Sequence, residues 1–438
     1  MSINQKFVAV CRTGMVATVV SLVGMRAEAS GFGLYEASAK TYALGGAVIG
    51  KAVDASANFH NPATLTDLTN ITVSVGFMTE HPRGRMKVHR GHELQGSGYY
   101  HMDPGVFVLP SFQMAVPLWW DFTFGLGIMP EYGLGSAYDV TWPLTNNSEE
   151  TTVTSITVNP NLAFKITDKW SVGGGLRFLF FDFEQYSNPY AYNPAFAGTP
   201  YENVAIARLR NRLKGDNNMK DFGWQIGTKY DITDNFSVGV VYKSQTKVNV
   251  DGKSETHGVQ DLLAKGAADQ AAAKINGPAE TELTLPQSIT AGFNWDITKT
   301  VHLGGMVGWT EWSSVDVLDF NLNGTHKDII LNWNNTWRAG LAPSWEFAED
   351  WTLLGSYVFE TDCTHKQEST MLPGSERHMI SLGLDWRISG NWSCCLTYGM
   401  ILMDGQKSHA RGANNELWSY EAHRALSHAA GFTVTYKF

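Results

Sequence analysis

The fold is decided by residues 30–68, SGFGLYEASAKTYALGGAVIGKAVDASANFHNPATLTDL. This stretch is rich in glycine and alanine, it lacks the alternation of a strand, and Asn61-Pro62 favours a turn near its end. Small residues let a backbone pack closely against a surrounding wall. Because the rest of the chain reads as a series of strands, we expect residues 30–69 to form a hatch inside a barrel built from residues 70–438.

Period-two alternation runs from about residue 70 to the end of the chain. Trp170, Leu176 and Phe178, for example, lie on the face opposite Gly173 and Arg177. Apolar side chains outward and small or polar ones inward are typical of a barrel in lipid, in which closure pairs every backbone polar group. The sequence predicts an all-β fold, a transmembrane antiparallel β-barrel of about 14 strands.

Short connections alternate with long ones along this region. Turn-forming residues, often followed by an aromatic residue, recur at 166–170, 232–236, 297–299, 348–351 and 388–392. Outer-membrane barrels have short periplasmic turns and longer extracellular loops. We therefore expect an aromatic girdle at the level of these turns.

Composition agrees with a barrel and excludes other classes. The chain has 438 residues, 12% of them aromatic, with a mean hydropathy of −0.18 and a formal net charge of −9. It contains no run of eighteen apolar residues, so bilayer-spanning helices are not expected. The acidic balance gives no support to nucleic-acid binding.

Residues 1–29 have the pattern of a secretory signal peptide. A positively charged start and a short apolar core precede an A-x-A cleavage site at Ala27-Glu28-Ala29. We expect the mature chain to begin at Ser30.

The chain ends on an alternating aromatic strand. Phe432, Val434, Tyr436 and Phe438 alternate with more polar residues. This ending resembles the signal that the barrel assembly machinery reads in many barrel families. The bacterial outer membrane is therefore the expected location, with that machinery as a partner during insertion.

Several segments resemble one known family. Gly31-Phe32, with Leu34 and Glu36, and the Asn61-Pro62-Ala63 triplet resemble the N-terminal hatch of the FadL/TodX (OMPP1) family of outer-membrane transporters. The segments TELTLP at 281–286, WTEWS at 309–313, TWRAG at 336–340 and LPGSER at 372–377 follow in the family's order. The resemblance implies passive transport of hydrophobic molecules, most simply long-chain fatty acids, by a monomer that is not an enzyme and needs no cofactor or metal.

The resemblance also implies a ligand pocket against the hatch. The hatch residues that it places there are Ser30, Gly31, Phe32, Asn61, Pro62 and Ala63. Positions aligned with the family's basic pocket residues carry Ser187 and Ile329 here. Arg177 and Lys243, which face inward in the alternation, are the substitute partners for a carboxylate; otherwise the ligand is an aromatic hydrocarbon or another neutral lipophile.

Two long connections, residues 201–213 and 261–275, are predicted to be helical. In the family, the corresponding loops form a hydrophobic groove that first captures the ligand. The residues that the resemblance assigns to this groove are Val204, Leu209, Leu213, Leu262, Leu263 and Ile275. Capping helices that bind no ligand are the alternative.

The third strand, residues 121–134, carries interruptions. Pro130 lacks the ladder donor, and Gly133 and Gly135 lack side chains. The resemblance implies an inward kink here and a lateral opening in the wall. The alternative is a strand end that runs into its loop.

The first long loop is basic. Arg83, Arg85, Lys87 and Arg90 are suited to pair with lipopolysaccharide phosphates, although a solvated loop explains them equally well. The expected partners are therefore a hydrophobic small-molecule ligand, outer-membrane lipid and lipopolysaccharide.

Two other function classes are weighed against this one. A porin for polar solutes is compatible with a barrel, but the glycine-rich plug argues against it. An outer-membrane hydrolase would need a catalytic cluster, and the sequence contains no G-x-S-x-G nucleophile motif.

Overall fold

A computed structural model describes residues 31–90, 98–139, 141–217, 221–364, 367–371, 374–403, 406–411 and 417–438. The predicted signal peptide and Ser30 lie outside these residues. The described chain is built almost wholly from antiparallel strands.

Fourteen of the described strands follow one another around a closed wall, and β1 pairs with β14, Thr72 opposite Lys437, to complete it. They are β1 (Thr72–Arg90), β2 (Phe107–Pro117), β3 (Phe122–Met129), β4 (Glu150–Thr167), β5 (Trp170–Ser187), β6 (Phe222–Thr233), β7 (Phe236–Lys243), β8 (Ser288–Asp296), β9 (Val301–Thr310), β10 (Thr336–Ala348), β11 (Trp351–Glu360), β12 (Arg377–Arg387), β13 (Trp392–Met403) and β14 (Leu417–Lys437). The predicted fold class is confirmed.

Nine further described strands extend the wall at the end that carries the long loops. They are Gly98–Met102, Gly133–Ala137, Tyr190–Tyr192, Ala205–Asp216, Thr246–Asp261, Gly277–Leu285, Val317–Leu322, Thr325–Ile330 and Gln406–Arg411. The described helices are α1 (Ala39–Ala43), α2 (Ala57–His60) and α3 (Ala267–Ile275), with 3-10 turns at Pro62–Asp67, Pro194–Phe196 and Trp312–Ser314. None of these helices combines the length and apolarity needed to cross a bilayer.

The opposite end of the wall carries tight turns, at the positions that the sequence predicts. Aromatic side chains cluster at their level: the rings of Trp351 and Trp386 stack 5.2 Å apart, and those of Trp392 and Tyr436 lie 4.5 Å apart. One further turn, between β2 and β3, was missed. Its Trp120 is 79% exposed and has a φ of 60°, a value that the sequence pattern does not signal.

The alternation along the wall points apolar side chains outward. Leu176 and Phe178 of β5 are 43% and 41% exposed, whereas Arg177 between them is 3% exposed and faces inward. A soluble protein would bury the apolar set instead, so this arrangement matches a wall surrounded by lipid.

Residues 31–69, here called the lumen segment, contact strands on all sides of the wall. Inward-facing glycines that it touches are Gly125 on β3, Gly173 on β5, Gly239 on β7, Gly304 on β9, Gly383 on β12 and Gly399 on β13. At Gly173, an added Cβ would lie 2.6 Å from the carbonyl carbon of Pro62. A segment that touches so many strands of a closed wall must lie inside it, and the missing side chains allow its close approach.

Ion pairs fix the lumen segment to three separate strands. They are Lys40 with Asp385 on β12 at 2.6 Å, Lys51 with Asp296 on β8 at 2.6 Å, and Asp67 with Lys229 on β6. Amide contacts add to them, since the buried side chain of Asn61 donates to the carbonyl oxygens of Ile49 and Thr228. The middle and the end of the segment are therefore held by polar contacts.

The helix predicted at residues 201–213 is wrong. The chain there forms the strand Ala205–Asp216, which pairs with β5 on one side and with Thr246–Asp261 on the other. Leu209 and Leu213 are buried on one face of this strand, and Arg210 is exposed on the other. Its period-two alternation and two ladders outweigh the helix propensity of its Ala, Leu and Arg residues. The second predicted helix is present as α3, over residues 267–275.

Candidate ligand path

The wall is interrupted between β2 and β3. β2 pairs with β3 only as far as Phe112 opposite Ile128, so residues 107–111 of β2 have their ladder on the β1 side alone. On the other flank, β4 pairs Thr157 with Met129 and then Thr154 with Gly133. Between these two pairs the chain after β3 has three residues, 130–132, whereas β4 has two, 155 and 156. The extra residue makes the chain after β3 bulge inward.

The predicted interruption residues lie at this bulge. Pro130 opens it, Gly133 ends it, and Gly135 continues the short strand that pairs with β4. Above it the wall closes again, because the Asp103 amide donates to the Ala137 carbonyl at 3.1 Å. The opening between residues 107–111 and 130–136 is here called the gap.

The start of the lumen segment, residues 31–37 and here called the arm, covers the bulge from inside. The Leu34 amide donates to the Glu131 carbonyl and the Gly133 amide donates to the Phe32 carbonyl, both at 2.8 Å. Gly33 and Tyr132 form the β-bridge between these bonds. Two backbone hydrogen bonds thus join the arm to the edge of the gap.

Aromatic rings hold the arm in place. Phe32 is 1% exposed, and its ring centroid lies 5.1 Å from Trp312, 5.8 Å from Trp333 and 5.9 Å from Tyr132. Gly31 has a φ of +58°, and a Cβ there would lie 2.5 Å from the Trp312 ring. Both the backbone conformation and the space therefore require glycine at position 31.

The Asn61-Pro62-Ala63 triplet lies lower in the lumen and not beside Phe32. Asn61 caps the 3-10 turn by accepting from the Ala63 amide at 3.1 Å, and Pro62 packs against Gly173. The structure gives these residues a role in seating the lumen segment. It does not bring them together with Gly31 and Phe32.

Arg177 and Lys243 meet at the bulge, on the carboxylate of Glu131. Arg177 Nη2 lies 2.8 Å from Glu131 Oε1, and Lys243 Nζ lies 3.2 Å from the same oxygen. Arg177 also donates to the Tyr132 hydroxyl at 3.2 Å. The Lys243 ammonium lies 3.2 Å from the ring centroid of Phe59. Both predicted cations therefore already share one carboxylate.

Two cavities adjoin this group, with Phe59 lining both. The smaller, about 10 Å³, is lined by Glu131, Arg177 and Gln113, and its size suits a single water molecule. The Gln113 side chain is fully buried and has no hydrogen-bond partner among the described residues. The larger, about 50 Å³, is lined by His60, Lys243 and Arg338 together with apolar residues.

An apolar cluster, here called the upper cluster, lies between the arm and the long loops. Its members include Phe183, Leu213, Leu283, Phe320, Ile329 and Trp333, and Phe32 and Trp312 join it to the arm. Ser187, one of the positions aligned with a basic pocket residue, is fully buried, and its hydroxyl has no partner among the described residues.

The residues predicted to form the capture groove do not all lie together. Leu213 belongs to the upper cluster, and Leu209 packs against α3. Ile275 contacts both clusters. Val204, Leu262 and Leu263 are 38%, 41% and 58% exposed. Of the predicted set, these last three are open to a ligand that arrives from outside.

Lys327 was missed by the sequence analysis. It lies opposite Phe320 and two residues before Ile329, so it shares the face that these residues turn towards the upper cluster. Lys327 is half-buried, and this partial burial lowers its pKa. No carboxylate in the described part of the chain pairs with it. Alternation within the 325–330 strand places Lys327 and Ile329 on one face, but the sequence does not show which face of the hairpin lies against the apolar cluster.

A closed outer-membrane-type barrel with an occupied lumen defines the class of the protein. Residues 20–438 match the family model described as "Outer membrane protein transport protein (OMPP1/FadL/TodX)". The chain belongs to this family, and its location is the bacterial outer membrane.

Relatives and solved structures agree with this assignment. The chain is 22% identical to Outer membrane protein P1 of Haemophilus influenzae, covering 90% of each chain. It is 23% identical to the Long-chain fatty acid transport protein of Escherichia coli, covering 93% of this chain and 94% of the relative. A Pseudomonas aeruginosa FadL homologue matches with a TM-score of 0.81 at 19% identity, covering 93% of this chain and all of the homologue. The P. putida toluene transporter TodX matches with a TM-score of 0.70 at 14% identity, covering 92% and 98%.

Proposed function

We propose that the protein carries long-chain fatty acids passively across the outer membrane. The long loops capture the ligand, the upper cluster holds its chain, and the ligand leaves sideways through the gap when the arm moves. The predicted hatch, residues 30–69, is the part that controls this passage. The relative named as a long-chain fatty acid transport protein supports the proposal over most of its length.

One observation favours a fatty acid over a neutral hydrocarbon, namely the position of Lys327. A half-buried ammonium that faces an apolar cluster without a carboxylate partner loses part of its hydration with no compensating charge. A ligand carboxylate would supply the missing charge, and the surrounding Phe183, Phe320 and Ile329 would contact the acyl chain. The site thus offers one charged contact at the edge of an apolar surface.

Lateral exit follows from the chemistry of the ligand. Burying each CH₂ group is worth about 0.8 kcal/mol, so an acyl chain strongly prefers hydrocarbon to water. Release through the gap delivers the chain to the bilayer without a water-filled step. The lumen segment and its small cavities, about 10 and 50 Å³, argue against a porin for polar solutes.

Two further partners and a monomeric state belong to the proposal. Arg83 and Arg85 are exposed on the outer face of β1, beyond its lipid-facing Val75 and Phe77 in the direction of the long loops. Lipopolysaccharide is the partner that fits them. Phe438, directly after β14, fits recognition by the barrel assembly machinery, and the closed wall suits a monomer.

The test is equilibrium binding of oleate and of methyl oleate to the detergent-purified barrel. We expect the wild type to prefer oleate. Lys327→Met should weaken oleate binding by about 10- to 100-fold, the loss of one charge-assisted contact of about 1.5–3 kcal/mol, and leave methyl oleate binding unchanged. Lys247→Met is the matched control, since Lys247 forms an exposed ion pair with Glu282 at 2.8 Å.

Equal binding of oleate and its methyl ester, with no effect of Lys327→Met, would favour the neutral-lipophile alternative; an alkylbenzene is then the next ligand to test. Absence of saturable binding of either probe would contradict the proposal as a whole.

A further inference from the structure

The larger cavity is lined by charged and polar side chains from three different elements. His60 comes from α2, Lys243 from the end of β7, and Arg338 from β10. Tyr35 and Phe59 of the lumen segment also line it. The cavity lies on the Phe59 side of the bulge and is separate from the upper cluster that contains Ile329.

Arg338 reaches this cavity without a full set of partners. One Nη donates to the Gly45 carbonyl at 3.1 Å, and the guanidinium lies 3.9 Å from the centre of the Tyr35 ring. Its Nε is buried without an acceptor, and no carboxylate in the described residues lies within ion-pair distance of it. A half-buried guanidinium whose buried Nε has no acceptor is well suited to receive an anion.

His60 adds an unused group on the same side. It is 6% exposed, its Nε2 has no partner among the described residues, and the ring lies beside the Arg338 guanidinium at Gly46. Burial, and then the nearby Lys243 and Arg338, lower the pKa of His60 to about 3. The ring is therefore neutral at physiological pH and can donate one hydrogen bond from Nε2.

The charges around the cavity do not balance. On one side, Arg177 and Lys243 share the single carboxylate of Glu131. On the other, Arg338 and Arg377 lie opposite Glu360 on the two strands that flank it, so two cations again face one carboxylate. Glu36 is also close and shares a hydrogen bond with the buried Glu80, and burial raises the pKa of Glu36, which favours one proton held between the two carboxyl groups. The Glu131 side therefore leaves one cation in excess.

We propose that this cavity is a second binding station, which holds the carboxylate of an amphiphilic ligand between Lys243, Arg338 and His60. The inference rests on the proposed passage of fatty acids, because it assumes that such a ligand reaches the lumen. A cavity of about 50 Å³ accommodates the headgroup but not a chain. The chain lies past Phe59 and Met129, which pack together and border the smaller cavity beside the gap.

This station gives the carboxylate a partner at the level of the gap. Without it, the headgroup would lose its contact at Lys327 and enter the lumen uncompensated, at high cost. With it, the headgroup exchanges one cation for another while the chain turns towards the lipid.

The test is the stoichiometry of radiolabelled oleate binding to the detergent-purified, full-length barrel. We expect two classes of site in the wild type. Arg338→Met should lower the affinity of one class by about 10- to 100-fold and leave the other class unchanged. Arg338→Lys should retain most of the affinity of the first class. Lys327→Met should weaken only the second class. Lys247→Met again serves as the control. Circular dichroism and heat-modifiable gel migration establish that each variant folds.

Two classes of site with this division would support the station. One class that Lys327→Met weakens and Arg338→Met leaves untouched would overturn the station while the proposed function stands. No saturable oleate binding to the wild type would overturn both.

Discussion

Replacement of Phe32 by alanine should release the arm from the wall without opening the barrel. The Phe32 ring is almost completely buried and touches three other aromatic rings. Truncation of a buried phenylalanine costs about 3–5 kcal/mol, whereas the two backbone hydrogen bonds of the arm contribute only about 0.5–1.5 kcal/mol each. The aromatic contacts are therefore the larger part of what holds the arm.

The assay is native-state hydrogen exchange, read on the peptide that contains the Leu34 amide. That amide is protected by its bond to the Glu131 carbonyl. A loss of about 3 kcal/mol in local stability corresponds to roughly 100-fold faster exchange. A peptide from β12, which Phe32 does not contact, supplies the internal control. Unchanged exchange at Leu34 in Phe32→Ala would refute the view that the rings latch the arm.

Two other predictions concern pH and ligand capture. The pKa of His60 in the folded protein, about 3, lies below its ordinary value of 6.5. Between these values the unfolded chain binds a proton that the folded protein does not, so the free energy of unfolding is undiminished above pH 6.5 and falls as the pH drops towards 3. The thermal midpoint of the wild type should therefore fall more steeply than that of His60→Asn between pH 6.5 and about pH 5; parallel curves would contradict this. Leu262→Asp combined with Leu263→Asp should lower oleate uptake several-fold at unchanged barrel yield, because both side chains are exposed where the ligand would arrive. Uptake equal to that of the wild type would remove these residues from the capture site.

The wall was predictable from the sequence because each strand carries its own signal. Alternation along β5 placed Leu176 outward and Arg177 inward, and turn residues marked the end of each hairpin. The lumen position of residues 31–69 followed from their small side chains. It is the inward-facing glycines of the wall, however, that make this contact possible.

The ligand path was less predictable because it depends on pairings between distant segments. Residues 205–216 alternate with period two, yet their helix-favouring composition masked the strand that two neighbouring ladders stabilise. Arg177 and Lys243 were correctly placed inside the barrel, but no local pattern shows that Glu131 joins them. Lys327 and Arg338 likewise depend on hairpin register and on the position of the lumen segment.

The most direct test of the account is to lock the arm to the wall. Gly33 and Tyr132 form a bridge flanked by the two hydrogen bonds of the arm, the kind of pair whose Cα atoms lie about 4.5 Å apart and accept a disulfide. Oleate uptake by cells that carry Gly33→Cys with Tyr132→Cys should be lost on oxidation and return on reduction, while each single variant is insensitive to oxidant. Uptake that persists with the disulfide formed would show that the ligand crosses without movement of the arm, contrary to the account.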